Sequence, residues 1–170
     1  MKEFGVSNID IVQKRWEDVR VDADLSGPYD VVIASFSLGM HDIQPALEKM
    51  VRASSRHVYL YHFAGPSSWD LQWQALWPRL HGRPYQPGPK SDVLYNVLYQ
   101  MGIYPTVRPF RLEHSQPYAS LDEAVATLAP QVQAESEEQK AVLREYLQRA
   151  LREEGGALVM PGSSVRVKMW

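Results

Sequence analysis

The side chains able to do chemistry in this chain of 170 residues include five histidines but no cysteine. Thiolate nucleophiles, thiolate metal sites and a disulfide framework are therefore excluded. His41 stands beside Asp42 in the run Ser35 to Asp42. An imidazole there can serve as a general base, because its ordinary pKa lies near neutrality. The plainer reading makes Asp42 a helix cap and His41 a loop residue. His62 falls near the end of the apolar run His57 to Phe63, where a histidine is more often a hydrogen-bonded core residue than a catalyst. His41 and His62 together offer two nitrogen ligands and find no third at useful spacing, so no metal site is expected. The third constellation is aromatic. Trp69, Trp73 and Trp77 recur at every fourth residue, as do Tyr95 and Tyr99, so each set shares one helix face. Two such helices packed face to face would be core. Trp69, Trp73, Tyr95 and Tyr99 would also suit the wall of a pocket for an apolar or planar substrate.

Positioning these groups falls to the stretch Tyr29 to Phe63. Asp30 to Ser35 is too short and too β-branched for a helix and reads as a strand buried on both faces. Ile43, Ala46, Leu47, Met50 and Val51 then recur at helical spacing, predicting a helix over Gln44 to Ala53 with Asp42 as N-cap. His57 to Phe63 is the next strand. Strand, helix and strand make a βαβ unit with parallel strands and a right-handed crossover. Ligands of open α/β sheets sit beyond the carboxyl ends of the strands, so the segments after Ser35 and after Phe63 are where chemistry belongs.

Elsewhere the pattern predicts a helix tail at Met1 to Gly5, a strand at Asn8 to Val12 and a turn at Asp24 to Pro28. Ser68 is placed as the cap of a helix over Trp69 to His81, kinked or ended early by Pro78, and Ser91 as the cap of a helix over Asp92 to Met101. Ile103 to Leu112 reads as a strand that Pro109 confines to an edge or a bulge. Ser120 to Glu123 is a capping box for a short helix to Leu128, and Glu137 to Glu154 a longer amphipathic helix stopped by Gly155-Gly156. A Pro161-Gly162 turn precedes a last strand at Val165 to Trp170. The charged run Glu135 to Arg152 is the solvated side of a helix.

Bulk properties narrow the class further. The hydrophobic content of 45% is that of one globular domain over residues 1–170, with helices at about 118–155 inserted into it. A net charge of -2 speaks against nucleic acid or a membrane surface as partner. With no long apolar run and no leader pattern, a soluble, cytoplasmic protein is expected.

Taken in order, these segments resemble the C-terminal two thirds of a class I S-adenosylmethionine-dependent methyltransferase. Asn8 to Val12, with the acidic Trp16-Glu17-Asp18 after it, is similar to that family's third strand. Tyr29 to Ser35 is similar to its fourth, with the "FDVV" motif, and His57 to Phe63 to its fifth. The remainder would supply a sixth strand, a helical pair and an antiparallel seventh strand at Val165 to Trp170. The resemblance implies an α/β, Rossmann-like methyltransferase sheet, mostly parallel with an antiparallel last strand. It places Ser35, Phe36 and Ser37 at the methionine portion of S-adenosylmethionine, and Trp16 and Glu17 near its adenine. Without it, Ser35 to Ser37 are an ordinary strand-to-helix connection and Trp16 a cover for the sheet end.

Two departures qualify that picture. The family's glycine-rich cofactor loop and the acidic residue of its second strand belong upstream of Asn8, where only Met1 to Ser7 stand, so the expected sheet is truncated at its N-terminus. Arg15-Trp16 stands where the family carries an Asp and a small residue. The function expected is methyl transfer to an acceptor that the sequence does not name, a small molecule among the candidates, if the missing segment is supplied. The alternative is a non-catalytic binding or assembly subunit, either half of a split methyltransferase or a truncated product. Either way the chain alone is expected to be inactive and to bind S-adenosylmethionine poorly. The fourth strand would lack a neighbour, predicting a homodimer or a complex with an N-terminal partner through that edge.

Overall fold

The computed structural model describes residues 8–170. Its centre is a mixed sheet of five strands in an α/β arrangement. Strand β1, Tyr29–Ser35, crosses through helix α2, Ile43–Ala53, to the parallel strand β2, Ser54–Phe63. Helices α3, Ser68–His81, and α4, Ser91–Gln100, follow, then strand β3, Val107–Tyr118. Helices α5, Leu121–Leu128, and α6, Glu137–Ala150, lead to a hairpin of β4, Arg152–Glu154, and β5, Ala157–Met169. A 3-10 turn at Trp16–Asp18 and the short α1, Val21–Asp24, precede the sheet. The order is β1-β2-β5-β3, with β5 antiparallel to β2, β3 and β4, so the expected mostly parallel sheet is corrected: among the described residues only β1 and β2 run parallel.

Two cores form on opposite faces. Ala34, Leu60, Met169 and Val167 share one face and pack with Leu47 and Met50 of α2 and Leu94 and Leu98 of α4. At the far end of β3 and β5, Tyr118 and Met160 pack with Leu76 and Leu80 of α3, Val125 of α5 and Leu143 and Leu147 of α6. The remaining quarter is bare. Ile33 is 62% exposed and Val31 44%, and Phe110 and Leu112 are also exposed.

Several sequence expectations need correction. Asn8 to Val12 is exposed and forms no strand, so the expected third strand is absent among the described residues. Met1 to Gly5 lies outside them. β1 is not buried on both faces; only alternate residues turn inward. Ser67, not Ser68, caps α3, its Oγ accepting from the Asp70 N–H while Asp70 reaches back to the Ser67 N–H. Pro78 sits inside α3 without ending it. Lys90 occupies the N-cap position of α4, and Ser91 is the first helical residue. α6 stops at Ala150, because Leu151 is extended and Arg152–Glu154 pairs with Ala157 to Val159. Gly155 and Gly156, at φ 61° and 84°, make the two-residue turn of that hairpin, which needs the left-handed region at both positions. Pro161 and Gly162 are not a turn but continue β5, opposite Ser115 and His114. A side chain at Gly162 would strike the His114 ring and the Ser68 Oγ, the latter at 2.7 Å, which is why the strand carries glycine there.

Candidate functional site

β1 and β2 run in the same direction and release their carboxyl ends side by side. The backbone leaves β1 through Phe36, whose φ of 52° lies in the left-handed region that non-glycine residues rarely occupy. Its N–H donates to the Tyr61 carbonyl at 3.1 Å, which fixes the turn against β2. Ser35, Phe36 and Ser37 are all exposed. The Phe36 ring lies 4.9 Å from that of Phe63, the last residue of β2, and Trp69 meets Phe63 edge-on at 5.2 Å. Arg166 of β5 stands opposite Phe63 in register, its guanidinium 4.5 Å from the Phe36 centroid and 5.4 Å from that of Phe63.

A buried polar group holds this wall. Asp70 is 2% exposed and accepts from the Ser67 N–H, the Ser67 hydroxyl and Lys90 Nζ, each at 2.8 Å. Burial acts to raise the Asp70 carboxyl, but the Lys90 and Ser67 donors outweigh it and keep it below the ordinary carboxylate range. The Lys90 ammonium also lies 5.5 Å from the Phe63 centroid. The network ties the start of α3 to the start of α4, so Phe63 and Trp69 are rigidly backed.

The structure separates several residues that the sequence grouped. Trp73 and Trp77 pack on Tyr85, each at 5.3 Å, while Tyr95 belongs to the core on the other face and Tyr99 pairs with Tyr104. The two aromatic helices therefore do not form one pocket wall, and only Trp69 joins the site. His62 alternates with Phe63 and turns to the opposite face, half-buried. Burial lowers its pKa, the nearby Lys90 charge adds to this, and the Pro89 carbonyl opposes it. His41 is exposed and lines a concavity of about 330 Å³ with Arg15, Glu17, Met40, Asp42 and Lys49. His41 and Glu17 thus share one hollow while His62 does not.

Trp16 is structurally engaged. Its Nε1 donates to the Ala46 carbonyl at 3.1 Å and its ring is partly buried against the core. Lys49 pins the same turn by donating to the carbonyls of Trp16, Glu17 and Val19. Glu17 pairs with Arg15 at 2.8 Å; its own backbone N–H and then Arg15 hold its carboxyl below the usual range. S-adenosylmethionine needs more than this. The Phe36 turn offers exposed backbone for a methionine end, but only single glycines, Gly39 and Gly65, follow β1 and β2, so no glycine-rich loop stands among the described residues. The described residues do not by themselves fit the whole group.

Among solved structures, the chain is similar to a candidate methyltransferase from Bacillus halodurans C-125. The TM-score is 0.54 at 14% sequence identity, covering 99% of this chain and 74% of that one. The likeness is one of fold alone, an α/β fold like that of the methyltransferase. No family model and no curated protein matches the chain.

Asp70, Lys90 and Arg166 escaped the sequence reading. Ser67 and Asp70 are spaced as a capping box, which was a legible signal. Arg166 and Lys168 alternate with Val165, Val167 and Met169, so their common face was legible too, but not what they would meet on it.

Proposed function

We propose that this chain is the acceptor-side portion of an S-adenosylmethionine-dependent methyltransferase, completed by βα units that carry the glycine-rich loop. The observation that supports it most is the free edge of β1 in a methyltransferase-like sheet. β1 pairs only with β2 among the described residues, and its carboxyl end opens onto the Phe36 turn. Added strands would continue the sheet there and set their loop beside Ser35, Phe36 and Ser37. The truncated, Rossmann-like sheet of the sequence reading belongs to this proposal. So does the domain reading, with α5 and α6 inserted between β3 and the last hairpin.

Methyl transfer suits a site without an obvious nucleophile. The acceptor's own N, O, S or C atom attacks in line, and the protein contributes positioning and exclusion of water. Phe36, Phe63 and Trp69 form an apolar wall for a small planar acceptor. His41, exposed and beside Glu17, is the available base for an acceptor that must lose a proton. The lack of a glycine-rich loop among the described residues favours a second reading, a binding or assembly subunit that does no chemistry.

Isothermal titration of the full chain with S-adenosylmethionine, alone and with the product of any βα-encoding segment found upstream, tests the proposal. Binding is expected only with the completing segment. Low-micromolar affinity by the chain alone would mean that the site is built another way. Failure of the completed pair to bind would leave the non-catalytic reading.

A further inference from the structure

Arg166 has an unusual setting for a cation. Its guanidinium sits against the paired rings of Phe36 and Phe63, and its Nε donates to the Ser164 hydroxyl at 3.0 Å. Among the described residues it forms no ion pair. The nearest polar network cannot neutralise it, because Asp70 is already committed to Lys90 and Ser67. Nor can the sheet around it. Its in-register neighbours are Phe63 and Phe110, and the next row holds Tyr61, Lys168 and Arg108, with no carboxylate. With Nε occupied, the two terminal amino groups remain as a fork of N–H donors. Burial also lowers the pKa of Arg166, a sign that water screens it incompletely.

We propose that Arg166 is a receptor for the carboxylate of a small organic acid whose apolar, planar body lies along Phe36, Phe63 and Trp69. A guanidinium fork matches a carboxylate in two parallel hydrogen bonds. The paired rings exclude water from one flank of the guanidinium, which strengthens such a pair relative to one in bulk solvent. Lys90 is neutralised by Asp70 at 2.8 Å, and Lys168 and Arg108 lie one row away, Lys168 over Tyr59 and Trp170, so Arg166 is the cation set against the Phe36 and Phe63 rings. The carboxylate has two chemical sources, an acceptor acid or the methionine end of S-adenosylmethionine; the ring wall favours the acceptor. This inference rests on the proposed methyl transfer for its place in a reaction, but the binding itself is measured without cofactor, so the two fail separately.

The test uses the isotopically labelled full chain and three probes: phenylpropanoate, the isosteric phenylpropanamide and free methionine. Titrations follow the Arg Nε–H and Trp indole resonances. Phenylpropanoate is expected to shift Arg166 and Trp69 together and to bind about tenfold more tightly than the amide. Arg166→Gln should erase that preference, Arg166→Lys should retain some of it, and Lys168→Gln should leave it intact. Equal binding of acid and amide by the unaltered chain overturns the proposal without any variant. So does the absence of binding by either, or a preference that follows Lys168 instead. A shift with methionine and none with phenylpropanoate overturns the assignment to an acceptor.

Discussion

Asp70 joins three elements through one carboxylate, since it closes the cap of α3, holds Lys90 ahead of α4 and backs the wall that ends β2. Asp70→Ala would leave a largely buried ammonium without its partner and should cost about 3 kcal/mol, read as a shifted denaturation midpoint with an unchanged slope. The pH dependence follows in sign. A carboxyl held below its unfolded value stabilises fully above that value, and the gain is lost as pH falls through the lower folded pKa. His62 acts in another window. Its folded pKa lies below the ordinary 6.5, so the unfolded chain binds the proton first and stability declines as pH drops below that value. Denaturation midpoints from neutral to mildly acid pH should flatten in His62→Gln if this group carries the slope. Trp77 is 9% exposed against Tyr85 and His81, and Trp77→Ala should cost on the order of 3–5 kcal/mol. An unchanged midpoint would place it outside the core.

At the scale of elements, periodicity located the long pieces and failed where local signals had two meanings. The βαβ unit was legible because Val31 to Ser35 and Ile43 to Ala53 carry unmixed strand and helix patterns. Leu151 to Glu154 continues a helical charge pattern, and only pairing with Ala157 to Val159 turns it into a strand. The pair Gly155-Gly156 serves equally as a helix stop and a hairpin turn, and sequence alone does not separate the two. Pro161-Gly162 misleads for a different reason: glycine is required by the approach of His114 and Ser68, a tertiary fact with no local signature. The aromatic helices share a spacing but not a partner, so which face meets which was invisible. Gly156→Val tests the hairpin. A β-branched residue at φ 84° is strained, and the loss should be about 1–3 kcal/mol in thermal or chemical unfolding. A helix stop would tolerate the change far better, since Gly156 would then lie past the cap.

The molecule as a whole leaves part of a sheet face and the outer edges of β1 and β3 without cover, but Pro109 and Pro117 interrupt the edge of β3 as a pairing template. β1 offers a row of backbone donors and acceptors along one side, and the exposed face beside it carries Val31, Ile33, Phe110 and Leu112 together with Arg108, Lys168 and Arg166. Such an edge is a template for another strand. Asn8 to Val12 leaves it open, being exposed and unpaired in any ladder. Two copies can meet edge to edge across a two-fold axis and complete each other's backbone pairing. They cannot also stack these faces, because like cations would oppose each other. The chain alone is therefore expected to self-associate through β1, and a partner bearing carboxylates on an apolar face would cover more of it. Neighbouring substitutions separate folding from association. Ile33 is 62% exposed, so Ile33→Lys should change stability by no more than about 0.5 kcal/mol while weakening the edge contact. Val32 packs against the core of α2 and α4, so Val32→Lys should unfold the domain rather than merely dissociate a dimer. Light scattering across a concentration series reads the result. A mass above that of one chain at tens of micromolar, returned to one chain by Ile33→Lys with an unchanged unfolding midpoint, is the expected outcome. A well-folded single chain at every concentration would show that β1 needs no neighbour, and the incomplete-sheet proposal would fall with it.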